Sequence, residues 1–454
     1  MGFRKDFVWG AATASYQVEG AAYENGKGLN IWDVFCKEPG KIYEGHSGDV
    51  ACDQYHRYQE DVRTMKEMGI RAYRFSLSWA RIMPEGTGRV NEKGLAYYDA
   101  LIDALLENGI EPYVTLYHWD LPYALQLRGG WMNPESPKWF YDYAAVVAEH
   151  FSDRVKKFFT INEPQCAAGL GYLTGEHAPG LKVGAYDFFH VWQNLLLAHG
   201  RAVQALREHA KGPVEIGAAP CSALYYPETE SAADIEAARR AMFTIAGDTP
   251  NDAVWNIAFW SDPVFFGHYP EGTQERFGKL LPPLSQEEWK VISSPLDFYG
   301  QNMYNAVMVR ADEQGNPVRV KRAEGFPKTA IQWPVTPECM YWGPKFLYER
   351  YHKPFYITEN GMSSHDWVSL DGRVHDAARV DFLHRYLREY RRAAADGVDA
   401  RGYFAWSSHD NFEWSYGYSE RFGLIYVDYA TQKRTVKDSG YFYRETAAAN
   451  GENL

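Results

Sequence analysis

The feature that most limits what this chain can fold into is an alternation of periods. Short apolar runs rich in β-branched and aromatic residues alternate with longer runs of helical period, and the pattern recurs eight times along 454 residues. The strand-like runs are read as Phe7–Ala12, Ala72–Ser76, Pro112–Tyr117, Lys157–Ile161, Val214–Ala219, Phe298–Asn302, Phe355–Thr358 and Gly402–Trp406. Helical patterns between them include Asp53–Met68, Glu92–Asn108, Pro137–Phe151, Ala185–Glu208, Ile235–Phe243, Gln286–Ile292, Pro337–Arg350 and Ala377–Asp396. Strands separated by helices pair in parallel through crossovers. Eight such units predict an α/β protein, a single (β/α)8 TIM barrel occupying 1–454 as one domain, more than an open doubly wound sheet. No G-x-G-x-x-G follows the first run, which removes the dinucleotide-binding form.

The connections are unequal, and the long ones all follow strands: Gln17–Asp49, Ser222–Pro263, Tyr304–Thr336 and Ser407–Lys437. Loops after barrel strands gather on the C-terminal face, where barrel active sites form. Enlarged loops there predict a deep pocket. Aromatic residues make up 16% of the chain and many sit beside carboxylates or amides. That pairing suits sugar rings, which have an apolar face and a hydroxylated rim, although large cores are aromatic-rich in any case.

A net charge of −12 without any basic run excludes nucleic acid and anionic membrane surfaces as partners. The five cysteines (36, 52, 166, 221, 339) are odd in number and never in C-x-x-C spacing, which fits free thiols in a reducing compartment. The first residues lead straight into a strand-like run, and no stretch approaches about 18 continuous apolar residues. The expectation is a soluble, cytoplasmic protein with no membrane association. No His/Cys/Asp cluster has metal-ligand spacing, so neither a metal nor another cofactor is expected.

Two carboxylates stand at strand ends. T-I-N-E-P (residues 160–164) closes the fourth strand and I-T-E-N-G (357–361) the seventh. Each Glu is flanked by Asn, and Pro or Gly then breaks the chain. A lone Glu at a strand end is ordinarily a solvated or ion-paired surface group. Two of them on different sides of one barrel can converge across its mouth, as glycoside hydrolysis requires. One carboxylic acid protonates the leaving oxygen while the other attacks the anomeric carbon, and a separation of about 5–5.5 Å gives retention.

At these residues the chain resembles the family-one glycoside hydrolases, and the bacterial β-glucosidases among them. The resemblance rests on F-V-W-G-A-A-T-A-S-Y-Q-V-E-G-A, Y-R-F-S-L-S-W-A-R-I-M-P, L-Y-H-W-D-L-P, T-I-N-E-P, H-A-P-G, F-Y-G-Q-N-M-Y, I-T-E-N-G, D-N-F-E-W and F-G-L-I-Y-V-D, in that order from Phe7 to Asp428. It implies a retaining β-glucosidase acting on β-glucosides and cello-oligosaccharides, with some turnover of β-galactosides and β-fucosides and some transglycosylation. By position, Glu163 matches the acid/base and Glu359 the nucleophile. Asn162 matches a residue that binds the 2-hydroxyl, and Tyr304 a tyrosine that hydrogen-bonds the nucleophile. Arg74 matches an arginine beside that carboxylate, and Asn302 of Q-N-M-Y a supporting amide. A guanidinium there favours the ionised form of Glu359, whereas Glu163 must start protonated and needs neighbours that raise its pKa.

Gln17, His118, Trp406, Glu413 and Trp414 match the residues that grip the terminal sugar. A lone histidine near aromatics is ordinarily a core residue, but the H-W-D context points His118 to the site. Glu413 is expected to hold hydroxyls at C4 and C6 and, as a carboxylate, to repel a 6-phosphosugar. Trp333 of Q-W-P-V is either an aglycone platform or core packing. Two stretches depart from the family pattern. W-S-S-H (406–409) is more polar than usual beneath the sugar, and Cys339 in P-E-C is expected near the pocket rim. The partner is a small-molecule β-glucoside or oligosaccharide, and a homo-oligomer is compatible with the sequence. A catalytically inactive sugar-binding relative is the alternative, and a barrel metallohydrolase is disfavoured by the missing ligand cluster. The fold alone does not choose among them; the two intact Glu motifs favour the enzyme.

Overall fold

The computed structural model describes residues 2–454. Eight parallel strands form the barrel: β1 (Val8–Ala12), β2 (Ala72–Ser76), β3 (Glu111–Tyr117), β4 (Lys157–Asn162), β5 (Glu215–Ala219), β6 (Tyr299–Asn302), β7 (Phe355–Asn360) and β8 (Ala400–Trp406). Their order is β5-β4-β3-β2-β1-β8-β7-β6, so the first and last strands are neighbours in register, with Gly10 opposite Phe404. The seam between β5 and β6 is bridged by Asp297 N–H to the Ile216 carbonyl at 2.9 Å and by Asn302 N–H to the Pro220 carbonyl at 3.0 Å. A closed barrel leaves no exposed edge, which is why every strand can be apolar on both faces.

Aromatic rings fill the barrel interior. Tyr113 packs against Phe404 at 5.0 Å, Phe159 against Phe298 at 5.2 Å, and Phe298 against Tyr356 at 5.1 Å between centroids. Rings of this size fit because glycines stand opposite them. A Cβ on Gly217 would lie 2.2 Å from the Phe298 ring, and one on Gly10 would lie 2.5 Å from Phe404. The outer helices carry the periodic apolar faces the sequence shows, among them Gln54–Glu67, Glu92–Glu107, Ser136–Phe151, Ala185–His209 and Ala377–Ala395. The short helix Gln286–Ile292 is present, closed at its start by a capping box between Ser285 and Glu288. The last helix, Asp438–Ala448, is an element that the periodicity did not single out. No helix among the described residues is long and apolar enough to cross a membrane.

The long loops have structure of their own. Tyr225–Pro227, after β5, pairs in parallel with Val307–Ala311, after β6, and that strand pairs antiparallel with Pro317–Arg319. After β7 and β8 the loops are joined by buried charge. Lys437 Nζ donates to Asp366 and Asp410, each at 2.6 Å, and Arg421 donates to the second oxygen of Asp410 at 2.7 Å. Both Lys437 and Asp410 are fully buried. Removing one partner of such a pair leaves an uncompensated buried charge, which costs about 3–5 kcal/mol. Asp410→Ala is therefore expected to lower stability by about that amount, and Asp410→Asn by less because it keeps the side-chain volume and one acceptor oxygen. Thermal midpoints at one scan rate, compared across the three proteins, check this.

Candidate active site

The C-terminal ends of the strands open into a cavity of about 460 Å³, within the range of small-molecule sites. Glu163 and Glu359 both line it. Glu163 follows β4 in the left-handed region at φ 41°, ψ 67°, and Pro164 then starts a short helix. The sharp turn aims the side chain into the mouth rather than along the strand. Trp119 and Trp414, also in the cavity wall, likewise have positive φ, 76° and 51°. Non-glycine residues in this region carry strain that the surroundings must hold. Glu359 lies within β7, one residue beyond the end expected from sequence.

The two carboxyls have different company. Glu359 accepts from Arg74 Nη1 at 2.7 Å on one oxygen and from the Tyr304 hydroxyl at 2.8 Å on the other. Glu163 accepts from an amide, Asn302 Nδ2 at 2.9 Å, and among the described residues no cation pairs with it. Burial, followed by the nearby charge of Glu359, pushes the Glu163 carboxyl up to about 7 against the weaker pull of Asn302, the Cys166 thiol and Arg74. Burial also raises Glu359, and Arg74 and Tyr304 oppose it. Arg74 thus acts in the direction read from sequence, but desolvation outweighs it. Between the two, Glu359 is the carboxyl built to hold the negative charge.

The remaining sequence candidates fall into two groups. His118, Asn302, Tyr304, Trp333, Trp406, Glu413 and Trp414 line the cavity. Gln17, Asn162 and Arg74 reach its walls through hydrogen bonds. Asn162 Oδ1 accepts from Arg74 Nη2 at 2.5 Å and from Asn302 at 3.1 Å, and its Nδ2 meets His118 Nε2 at 3.0 Å. Burial, with Arg74 nearby, holds the His118 ring neutral, so accepting at Nε2 puts its proton on Nδ1. That Nδ1 is buried without a protein partner, as is Gln17 Oε1. The Gln17 amide donates instead to Asn411 and the Phe412 carbonyl at 2.9 and 2.8 Å. Trp333 is half-buried and packs on Tyr304 at 5.0 Å, so it serves cavity wall and core together.

Three sequence expectations change. Burial, with the charges of Glu359, Glu420 and Glu163, raises Glu413 to about 8, so it is protonated at neutral pH. Charge repulsion is then not what it offers against a 6-phosphosugar. The stronger obstacle is that, among the described residues, no lysine or arginine lines the cavity to receive a phosphate. Cys339 is buried in the helix Cys339–Tyr351 rather than standing at the rim. Ser408 and His409 are also fully buried and bond each other at 2.9 Å, while His409 Nε2 lies 3.2 Å from Asp61. Although burial works against it, His409 and Arg434 hold the Asp61 carboxyl down at about 2. The polar stretch thus turns inward towards Asp61, away from the sugar-facing wall.

Sequence reasoning passed over Cys166 and Cys221, which flank Glu163 in the cavity although 55 positions apart. It also passed over Trp119 and His177, which sit inside the H-W-D and H-A-P-G motifs, so the motifs held the signal. Their rings lie 5.2 Å apart, and Trp119 Nε1 donates to the Asn162 carbonyl at 3.0 Å.

Residues 1–452 match the model described as Glycosyl hydrolase family 1. β-Glucosidase A of Thermotoga maritima is 46% identical over 99% of this chain and 98% of its own length. β-Glucosidase A of Acetivibrio thermocellus is 45% identical over 99% of both. The solved β-glucosidase from Thermotoga maritima in complex with glucoimidazole superposes with a TM-score of 0.90 at 46% identity, covering 99% of each chain.

Because the charge of Glu359 helps raise Glu163, Glu359→Gln is expected to lower the Glu163 value below about 7 while burial keeps it above 4.5. Carboxyl-labelled NMR titration of the two proteins reads that difference.

Proposed function

The chain belongs to glycosyl hydrolase family 1, and from that premise we propose that it is a retaining β-glucosidase with Glu163 as acid/base and Glu359 as nucleophile. The observation that carries the reading is the unequal environment of the two carboxyls. Of the two, among the described residues only Glu359 has an ion-pair partner, Arg74 at 2.7 Å. Glu163, pushed up to about 7, keeps its proton below neutral pH, where an ordinary glutamate has lost it. A nucleophile needs the charge and a general acid needs the proton.

In the first step Glu163 protonates the glycosidic oxygen as a Glu359 oxygen attacks the anomeric carbon, giving a glycosyl ester and releasing the aglycone. Once esterified, Glu359 has no charge, so one of the two causes that raise Glu163 disappears. Its value falls, and the Glu163 carboxylate becomes fit to take a proton from the water that attacks the ester. Tyr304 and Arg74 position Glu359 throughout, and Asn302 does the same for Glu163.

The unpaired polar atoms of the wall suit a sugar's hydroxyls. His118 Nδ1–H is a donor, Gln17 Oε1 an acceptor, and Glu413 when protonated offers both. Asn162 keeps a second amide hydrogen for the 2-hydroxyl. Trp406 and Trp414, whose rings each lie 5.8 Å from His118, supply apolar surface for the ring face. Likeness to named β-glucosidases supports glucose as the glycone and β-glucosides or cello-oligosaccharides as substrates. The same hydroxyl-binding set admits β-galactosides and β-fucosides, and a glycosyl ester open to other acceptors allows transglycosylation. Pairing of β1 with β8 supports a single catalytic domain over 1–454, and the five free cysteines suit the cytoplasm.

Two experiments test this. Glu359→Gly is expected to lose turnover and to regain part of it with azide, which yields the inverted glycosyl azide. A folded variant that azide does not rescue removes Glu359 from the nucleophile's role. A panel of p-nitrophenyl β-D-glycosides should give high kcat/KM for the glucoside, lower values for galactoside and fucoside, and negligible turnover of glucoside 6-phosphate. Folded protein that hydrolyses none of them would be a sugar-binding relative instead.

A further inference from the structure

Cys166 and Cys221 have no part in the reaction above, yet both face the cavity beside Glu163. Local structure puts them there. Glu163 caps the short helix Pro164–Ala168, so Cys166, three residues on, shares its face. Cys221 follows β5 and Pro220, and its N–H donates to Gln165 Oε1 at 3.2 Å, which pins that loop to the same helix. The two Sγ atoms stand 3.7 Å apart as free thiols. With a Glu163 oxygen they form a set of three donor atoms, all within 4.8 Å of one another.

Those spacings match a tetrahedral ion. Zinc–sulfur bonds of about 2.3 Å at the tetrahedral angle place two sulfurs about 3.8 Å apart, and a zinc–oxygen bond of about 2.1 Å places the carboxylate oxygen about 3.6 Å from each sulfur. The sulfur pair already has that span. Asn302 occupies one Glu163 oxygen and leaves the other without an amide donor. Glu359 lines the same cavity, and among the described residues no lysine or arginine lines it, so no cationic side chain of the lining opposes a bound cation.

We propose that Cys166, Cys221 and Glu163 bind one thiophilic divalent cation, Zn2+ or Cd2+, which reversibly inhibits hydrolysis by holding Glu163 as a ligand. The fourth position faces the cavity. As the three bonds form, the two thiols and the carboxyl release their protons to solvent, and nothing is oxidised. The site is inhibitory and takes no part in turnover. The inhibition rests on Glu163 being the acid/base; the binding does not.

The test uses the purified full chain. Cadmium chloride should raise the ultraviolet thiolate-to-cadmium charge-transfer band to saturation at one equivalent, and zinc chloride should inhibit p-nitrophenyl β-glucoside hydrolysis until EDTA restores it. Even residues that only hydrogen-bond a metal's ligands are worth about 10–100-fold in affinity. Cys221→Ser should therefore weaken both effects at least about tenfold, each rate being compared with the same variant's uninhibited rate. The C166S/C221S double variant should show no band. Glu163→Gln, read by the band alone, should bind more weakly. Absence of a one-equivalent band in wild type overturns the proposal. So does equal zinc inhibition of the double variant, or inhibition that dithiothreitol reverses and EDTA does not, which marks thiol oxidation. A cadmium band in folded protein that hydrolyses no glycoside would leave the cation site standing and remove the catalytic reading instead.

Discussion

Arg74 donates one guanidinium nitrogen to Glu359 and the other to Asn162, so a single side chain on β2 ties β7 to β4 at the mouth of the barrel. Nη1 also reaches the Thr358 carbonyl at 3.1 Å, and the Thr358 hydroxyl in turn donates to Asn302 Oδ1 at 2.6 Å. Asn302 on β6 then closes the circuit to Asn162 and Glu163. Four strands therefore meet in one hydrogen-bonded group, all of it buried. Such a group is stable only if its members are satisfied together, because each polar atom left over in a dry site costs about 1–3 kcal/mol. The planar fork of arginine serves two acceptors at once, which a lysine ammonium on a flexible stem does not fix in the same way.

The division of labour between the carboxyls follows from that group. Burial raises both, and Arg74 is available to only one. A site with three buried carboxyls and one cation has to leave some of them protonated. Glu163 at about 7 and Glu413 at about 8 are those. The linkage has a definite sign. A carboxyl whose folded value lies above its unfolded one binds more protons when folded, so stability falls as pH rises from about 4.5 towards 8. The active site thus costs the fold something at neutral pH, while the buried ion pairs around Asp410 lie elsewhere in the C-terminal loops and Asp61, on the outer helix Gln54–Glu67, pairs with Arg434. Backbone strain at Trp119, Glu163 and Trp414 belongs with the same cost, since their positive φ values aim side chains into the cavity.

Much of the barrel was legible because its causes are local. Short apolar runs and helical runs of the right length place all eight strands within a residue or two, and the turn breakers Pro164 and Gly361 mark where β4 and β7 stop. The strand-end position of both glutamates could be read the same way. Three things were not local. The helix Asp438–Ala448 follows a long loop and was not singled out as a helical run. The strand pairing between Tyr225–Pro227 and Val307–Ala311 joins segments about 80 positions apart by backbone hydrogen bonds that no side-chain pattern announces. The place of Cys339 depends on how its helix rotates against the core.

The sequence by itself determined the barrel, the two glutamates that face each other across it, and the family that shares these motifs. It did so because period, turn chemistry and motif order are properties of neighbouring residues. Only the tertiary structure decided which carboxyl keeps its proton, because that depends on burial and on where one guanidinium points. It also decided that burial and neighbouring carboxylates raise Glu413, that Ser408 and His409 turn inward rather than towards the sugar, and that two thiols 55 positions apart stand 3.7 Å from each other beside Glu163. Electrostatic energies and coordination distances are set by separation in space, and separation in space is what the linear chain does not record.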